Sequence, residues 1–267
     1  MTTSEGLKYK TSLGTSNRED IKLLGHDLAQ DLMGKISFGE LAYWLVALRR
    51  PTAGELRVFE AVLVALADHG FTPTAISSRL TYLSAPESIQ GALAAGLLGG
   101  GSRFLGVTED SGQFLGAALA DHGAELPTTD SGWDKLARNA IQSRRSEGRL
   151  VPGLGHPNHK DGDPRTPVLF AIADEAGQLG PHLQLFRAVG RVSGEVLGRQ
   201  LPLNGAGVCG AALADIGLPL SMLRGFALLA RAAGLLGQIA EEERSPIAND
   251  IYFSVDHNAV YAAPGDH

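Results

Sequence analysis

Thr52–Gly70 reads TAGELRVFEAVLVALADHG. Thr52 and Glu55 have the spacing of a capping box, in which each side chain satisfies a backbone N–H at the start of a helix. Leu56, Phe59, Val62, Leu63 and Leu66 then recur at helical spacing and form one apolar face. The segment predicts an amphipathic helix that ends by presenting Asp68-His69-Gly70. The same grammar repeats outward along the chain. Ser37 with Glu40 has a second capping-box spacing, and Pro86-Glu87 opens a helical segment that stops at Gly99-Gly100-Gly101. Residues 130–148 read as a helix with a basic end at Arg144, Arg145 and Arg149. Thr166-Pro167 has N-cap and first-turn chemistry, which leaves His156 to Arg165 in a loop, and Pro219 opens a long helix to about Glu243. Few stretches alternate with period two, and none is bounded like a strand. The chain is therefore expected to be all-α, without an internal repeat or a low-complexity linker, with frayed ends at residues 1–10 and in the last few.

Composition removes several classes. The 267 residues suffice for a full core, in one large domain or two small ones. A net charge of −6, with no basic stripe, argues against a nucleic-acid partner. The single cysteine, Cys209, forms no internal disulfide, and Met1–Glu5 lacks a basic segment followed by an apolar one, so a reducing, cytoplasmic setting is expected. The most apolar region, Gly207–Ala240, is interrupted by Asp215, Pro219, Arg224 and Arg231 and reads as buried helix, with no membrane span.

The chemistry concentrates in two places. His69 follows Asp68, and His156 lies in Gly153-Leu154-Gly155-His156-Pro157, which runs on to Asp163-Pro164-Arg165. An imidazole can donate and accept a proton, and a guanidinium fork matches a planar carboxylate. Each residue also has a plainer reading. His69 also reads as a C-terminal cap favoured by the helix dipole, and Arg165 also reads as a partner of Asp161 or Asp163. Arg231, on an apolar helix, requires an anionic ligand or an internal carboxylate. Arg244 follows Glu241, Glu242 and Glu243 and competes with a surface ion pair. Arg144, Arg145 and Arg149 are read either as a solvated face or as contacts to the phosphates of a ligand. His159 is read as a solvated loop residue and Cys209 as an inert buried thiol. The histidines at 69, 122, 156, 159 and 182 do not fall at zinc-site spacing, and no metal is expected. Gly-Leu-Gly-His lacks the preceding strand and third glycine of a dinucleotide fingerprint.

The order DHG, GLLGGGSRF, EGRLVPGLGHP with DPR, LNGAGVCG, ARAAGLLGQI and RSPIANDIY resembles the citrate synthase superfamily from about Thr11 to Tyr252. The form it is most similar to is the citryl-CoA lyase module at the C-terminal end of ATP-citrate lyase. The resemblance implies a large helical domain from residues 1–101 and 205–267, and a smaller one, 102–204, that closes over a CoA thioester. It implies that His69 binds the oxaloacetate part of the substrate and that His156 hydrogen-bonds its reacting oxygen. Arg165, Arg231 and Arg244 then bind carboxylates, the last of them in a partner subunit's site, so a homodimer or higher homo-oligomer is implied. Arg103, which stands where the lyase module has an arginine and the synthases a further histidine, and Asn204 are likewise implied to bind the substrate. Asn204 opens the triplet that in the family is Asn-Val-Asp. Here the triplet is Asn204-Gly205-Ala206, which puts Ala206 at the place of the essential aspartate.

That departure argues against ordinary citrate synthesis, because drawing a proton from an acyl-CoA carbon needs a positioned base. Asp215, the nearest acid downstream, needs a different local geometry to serve. The function expected is a citryl-CoA-lyase-like cleavage of a hydroxy-polycarboxylate CoA thioester, with an altered substrate. Coenzyme A enters as part of the substrate, and no cofactor is bound tightly. The alternatives are a catalytically silent subunit that binds a dicarboxylate or CoA, and a CoA-independent 2-oxo acid lyase or decarboxylase.

Overall fold

The computed structural model describes residues 8–265. Met1–Glu5, read above for a leader, and most of the N-terminal stretch expected to fray lie outside the described residues.

The expected helix over residues 52–70 is α2 (Ala53–Ala67), preceded by α1 (Phe38–Ala47). The Thr52 box is complete: Thr52 N–H donates to Glu55 Oε2 (2.7 Å) and Glu55 N–H to Thr52 Oγ1 (3.2 Å). The Ser37 box is half-formed. Ser37 Oγ accepts from Glu40 N–H, but the Glu40 carboxylate faces Arg50 instead (3.7 Å). There follow α3 (Pro73–Ser84), α4 (Ile89–Leu98), α5 (Val107–His122) and α6 (Asp130–Ser146). After these come α7 (Arg165–Glu175), α8 (Pro181–Leu197) and α9 (Gly205–Asp215). Last are α10 (Leu223–Arg244), entered through a 3₁₀ turn at Leu220–Met222, and α11 (Ala248–Asp256).

Three details differ from the sequence expectations. Helix α4 begins after Pro86-Glu87, because Ser88 supplies the cap to Gly91 N–H (3.2 Å). Helix α7 begins at Arg165, before Thr166, because Asp163 Oδ1 accepts from Arg165 N–H (3.1 Å) and Thr166 Oγ1 is turned toward Leu203 O. A small antiparallel sheet of β1 (Gly14–Ser16), β2 (Ile21–Leu23) and β3 (His26–Asp27) precedes the helices, with Thr15 opposite Lys22 and Leu23 opposite His26. Strands this short, and largely exposed, carry no alternation of burial for a sequence to record. The chain is nonetheless all-α in class.

Helix α9 forms the centre. From Gly207 to Ala214 every residue is buried, and α2, α5, α7, α8 and α10 pack around it. Its small side chains allow that crowding. A Cβ on Gly210 would stand 2.1 Å from Thr108 O of α5, and one on Gly207 would stand 2.6 Å from the Gly153 Cα and from Phe186. Helix α10 is long and apolar enough to cross a membrane, yet it packs against α2, α3, α4 and α5. Gly234 lets it approach the end of α2, since a Cβ there would meet Ala67 O at 1.9 Å.

Because Gly210 meets backbone, which cannot rotate away, Gly210→Ala is expected to destabilise the fold by about 1–3 kcal/mol through overpacking. Urea unfolding of the two proteins would measure it, and an unchanged midpoint would show that α5 is not held that closely.

Candidate active site

Two turns bring the site together. The first, Asp68-His69-Gly70, leaves α2 in extended conformation at Asp68 and reverses at Gly70 (φ +70°), a left-handed position that favours glycine. Asp68 Oδ2 accepts from Gly70 N–H (2.8 Å) across His69, and Asp68 Oδ1 accepts from Gln238 Nε2 of α10 (2.9 Å). Gln238 in turn accepts from Nε of Arg79 (2.8 Å), a fully buried arginine that also donates to Glu242 (2.8 Å) and pairs with Glu241. Glu242 accepts from Ile247 and Ala248 N–H, which start α11. The turn carrying His69 is thus tied through one buried polar chain to α3, α10 and α11. Nothing in the spacing of Arg79, Gln238 and Glu242 announces this network in the sequence.

The second turn is the His156 loop. Gly153 has φ +83° and packs against Gly207 at the head of α9. Asn204 N–H donates to Gly153 O (2.9 Å), and Gly155 N–H to Pro202 O (2.8 Å). The Asn204 side chain bridges both elements: Oδ1 accepts from Gly207 N–H and Nδ2 donates to Gly155 O, both at 2.8 Å. The structure therefore sets Asn204 as the clamp between loop and helix.

At the end of the loop, Asp163 is 3% exposed and accepts from Arg165 Nε (3.0 Å), Arg165 Nη2 (2.7 Å) and Gly205 N–H (2.7 Å). Burial alone would raise its pKa, but Arg165 and the Gly205 N–H hold the carboxyl well below the usual carboxylate range. Arg165 also donates to Ala65 O (3.1 Å) and lies flat on Gly205, where any Cβ would stand 2.3 Å from its Nε. Of the two plain readings of Arg165, pairing with Asp163 is the one realised.

His69 and His156 meet with ring centroids 5.3 Å apart, and both are half-buried. His159 joins them, 4.4 Å from His156 and 5.5 Å from His69. It is half-buried, which corrects its reading as a solvated loop residue. The backbone explains why: His156 Nδ1 accepts from Asn158 and His159 N–H (both 3.1 Å), so the loop curls around the His156 ring and carries His159 back beside it. Those two donors also fix the tautomer, with the His156 proton on Nε2. Burial, then the neighbouring His159, lowers the His156 pKa, so the ring is a neutral donor at neutral pH. Nitrogens of the three imidazoles lie within 4.8 Å of one another, close enough to consider a shared cation. With Nδ1 occupied and Nε2 protonated, His156 offers no lone pair, and the set fits hydrogen bonding better than metal ligation.

Arg231 approaches the same turn from α10. It is 5% exposed, and its donors go to Leu66 O (3.3 and 3.4 Å), Thr72 Oγ1 (3.3 Å) and Thr74 Oγ1 (3.1 Å). Among the described residues no carboxylate lies within ion-pair distance of it, and burial lowers its pKa, offset in part by Asp68. The remaining arginines stand apart. Arg244 is exposed in the last turn of α10, thirteen residues beyond Arg231 and so about 20 Å along the helix. Arg103 is exposed between α4 and α5. Arg144 and Arg149 line a cavity of about 310 Å³ between α5 and α6, together with Asp110, Asp121 and Glu147. Arg145 leaves that cavity and donates to Val196 O of α8.

Ala206 brings no acid to the head of α9, and Asp215, at the other end of that helix, is engaged. Asp215 caps α8, accepting from His182 and Leu183 N–H (both 2.9 Å). Cys209 is fully buried, its thiol pushed up to about 12 by that burial.

The profile of the citrate synthase C-terminal domain matches residues 38–251. The chain belongs to the citrate synthase family. Among solved structures, this citrate synthase family chain is similar to citryl-CoA lyase from Hydrogenobacter thermophilus, with TM-score 0.82 and 27% identity over 96% of each chain. ATP citrate lyase from Methanosaeta concilii, solved in complex with (3S)-citryl-CoA, gives TM-score 0.79 at 19% identity, covering 99% of this chain and 43% of that one. Citrate synthase from Thermotoga maritima gives 0.64 at 16% identity, over 87% of this chain and 59% of that one. The last two share the fold, and the chain spans under half of the ATP citrate lyase chain. No curated protein matches.

Two expectations follow. Since the folded Asp163 pKa is depressed, its stabilisation is present above the ordinary value of 3.8 and is lost as the pH falls below it. Asp163→Asn should remove that acid-side loss and cost about 3–5 kcal/mol at neutral pH by stranding Arg165. Denaturant unfolding across pH would check both signs. Imidazole ¹⁵N NMR at neutral pH should show His156 as the Nε2–H tautomer, with a titration midpoint below 6.5. A predominant Nδ1–H form would contradict the backbone cap.

Proposed function

We propose that this citrate synthase family chain is a citryl-CoA-lyase-like enzyme. It breaks a carbon–carbon bond in the CoA thioester of a hydroxy polycarboxylate and releases a 2-oxo acid and an acyl-CoA. The observation that carries this reading is Arg231: a guanidinium this deeply buried, meeting only neutral oxygens beside His69, is a receptor for a carboxylate. The end-to-end similarity to a citryl-CoA lyase supports the choice of chemistry. Related structures hold (3S)-citryl-CoA, or citrate with coenzyme A.

In this reading the substrate's reacting oxygen faces His156 Nε2–H. A neutral, fixed donor stabilises the negative charge that grows on that oxygen when the bond breaks, at no cost of reorientation. Arg231, with the remaining donors of Arg165, holds the carboxylates, and His69 completes the rim. The segment 102–204 is the part that closes over the ligand, and Arg144 and Arg149 suit the CoA phosphates. Arg244, remote from its own site, serves the partner subunit of a dimer.

One observation favours a second reading, a silent subunit that binds the same ligands: the family aspartate is Ala206, and Asp215 is committed to capping α8. Incubation of the purified protein with citryl-CoA and related hydroxyacyl-CoA thioesters, with mass detection of keto acid and acyl-CoA, separates the two. Turnover is the expected result. Binding of citrate or CoA by calorimetry without turnover of any thioester would establish the silent subunit, and absence of both would refute either reading.

A further inference from the structure

The three-imidazole cluster contains more than the donor at His156. A hydroxyl oxygen in a site needs one group to donate to it and one to accept its proton. His156 supplies the first and is barred from the second, because its Nδ1 is covered by two backbone N–H groups. The nearby carboxylates are committed as well. Asp163 is bound by Arg165 and Gly205 N–H, and Asp68 by Gln238 and Gly70 N–H, while Asp215 caps α8 from the far end of α9. Cys209 is buried. The rings of His69 and His159 make no hydrogen bond with the described residues, and of the two His159 lies closer to His156 (4.4 against 5.3 Å). It is also coupled to His156 through the chain, since its own N–H is one of the two that fix the His156 tautomer.

We propose that His159 is the proton-carrying catalytic residue, paired with His156 on the same substrate oxygen. This rests on the lyase reading given above. The free imidazole nitrogen of His159 takes the hydroxyl proton while His156 Nε2–H stabilises the resulting alkoxide. The oxygen pair becomes the new carbonyl bond, and the carbon–carbon bonding pair leaves on the thioester α-carbon as an enolate. That carbon was two bonds from the oxygen, so the His159 imidazolium returns the proton to it. The proton moves from oxygen to carbon, His159 ends as it began, and no co-reactant is consumed. One imidazole thus does the work of base and acid.

The test uses the full chain and citryl-CoA. For His159→Gln, kcat is expected to fall roughly 10²- to 10⁴-fold, the range for a lost general acid or base, with KM unchanged. Free imidazole is expected to restore part of the kcat of His159→Ala, which a purely structural role would not allow. Thermal melting checks that both variants fold. If the unaltered protein cleaves citryl-CoA and His159→Gln does so at the same kcat, the role of His159 is overturned while the lyase reading stands. A fall in kcat without imidazole rescue, or a change confined to KM, likewise overturns it. Silence of the unaltered protein toward citryl-CoA and the thioester panel overturns the lyase reading and the role of His159 with it.

Discussion

A buried carboxylate has to be satisfied, and the way Asp163 is satisfied sets the geometry of everything near it. Its two oxygens take the Arg165 guanidinium, the Arg165 N–H that begins α7, and the Gly205 N–H that begins α9. One side chain therefore starts two helices and orients an arginine. The negative charge also lies at two helix N-termini, where the peptide dipoles favour it. The His156 loop is held at both ends, by the Asn204 clamp at its start and by Asp163 at its close. Its conformation is a consequence of the charge that must be neutralised beneath it.

The two histidine turns are supported by opposite means. His156 lies on a close backbone contact, Gly153 against Gly207, where absence of side chains brings loop and helix together. His69 lies on a polar chain, from Asp68 through Gln238 and Arg79 to Glu242, where every buried group has a partner. The first gives closeness and the second direction. Arg231 belongs to the second, its guanidinium spread over Leu66 O and the hydroxyls of Thr72 and Thr74, which flank His69 in the chain.

What was legible in the sequence was what depends on neighbours in the chain. The Thr52–Glu55 box, the apolar face of α2 and the glycine stop after α4 are local, and the structure has them. The cost of a charge on an apolar helix is also local, so Arg231 was readable as a cation in need of an anion. The rest depends on direction through space. Asp163 was seen only as one acid near Arg165, because a cap that starts one helix and binds the next reads in sequence as part of a polar loop. His159 was assigned to solvent for the same reason: spacing in a loop does not say which way a ring turns, and only the curl of N–H groups around His156 does. Arg244 follows the same rule: motif order alone assigns it to a partner's site, and helix rise, about 20 Å from Arg231, keeps it apart within one chain.

Gly205 lets the Arg165 guanidinium rest on bare backbone, and Asp163 prevents that guanidinium from swinging aside. Positions 163, 165 and 205 are therefore mechanically coupled. In this chain a side chain at 205 would require the Arg165 guanidinium to shift, and that shift would loosen its hold on a buried carboxylate. A change at the head of α9 is thus also a change to the ion pair beneath the His156 loop, although Gly205 and Asp163 are 42 residues apart in the chain.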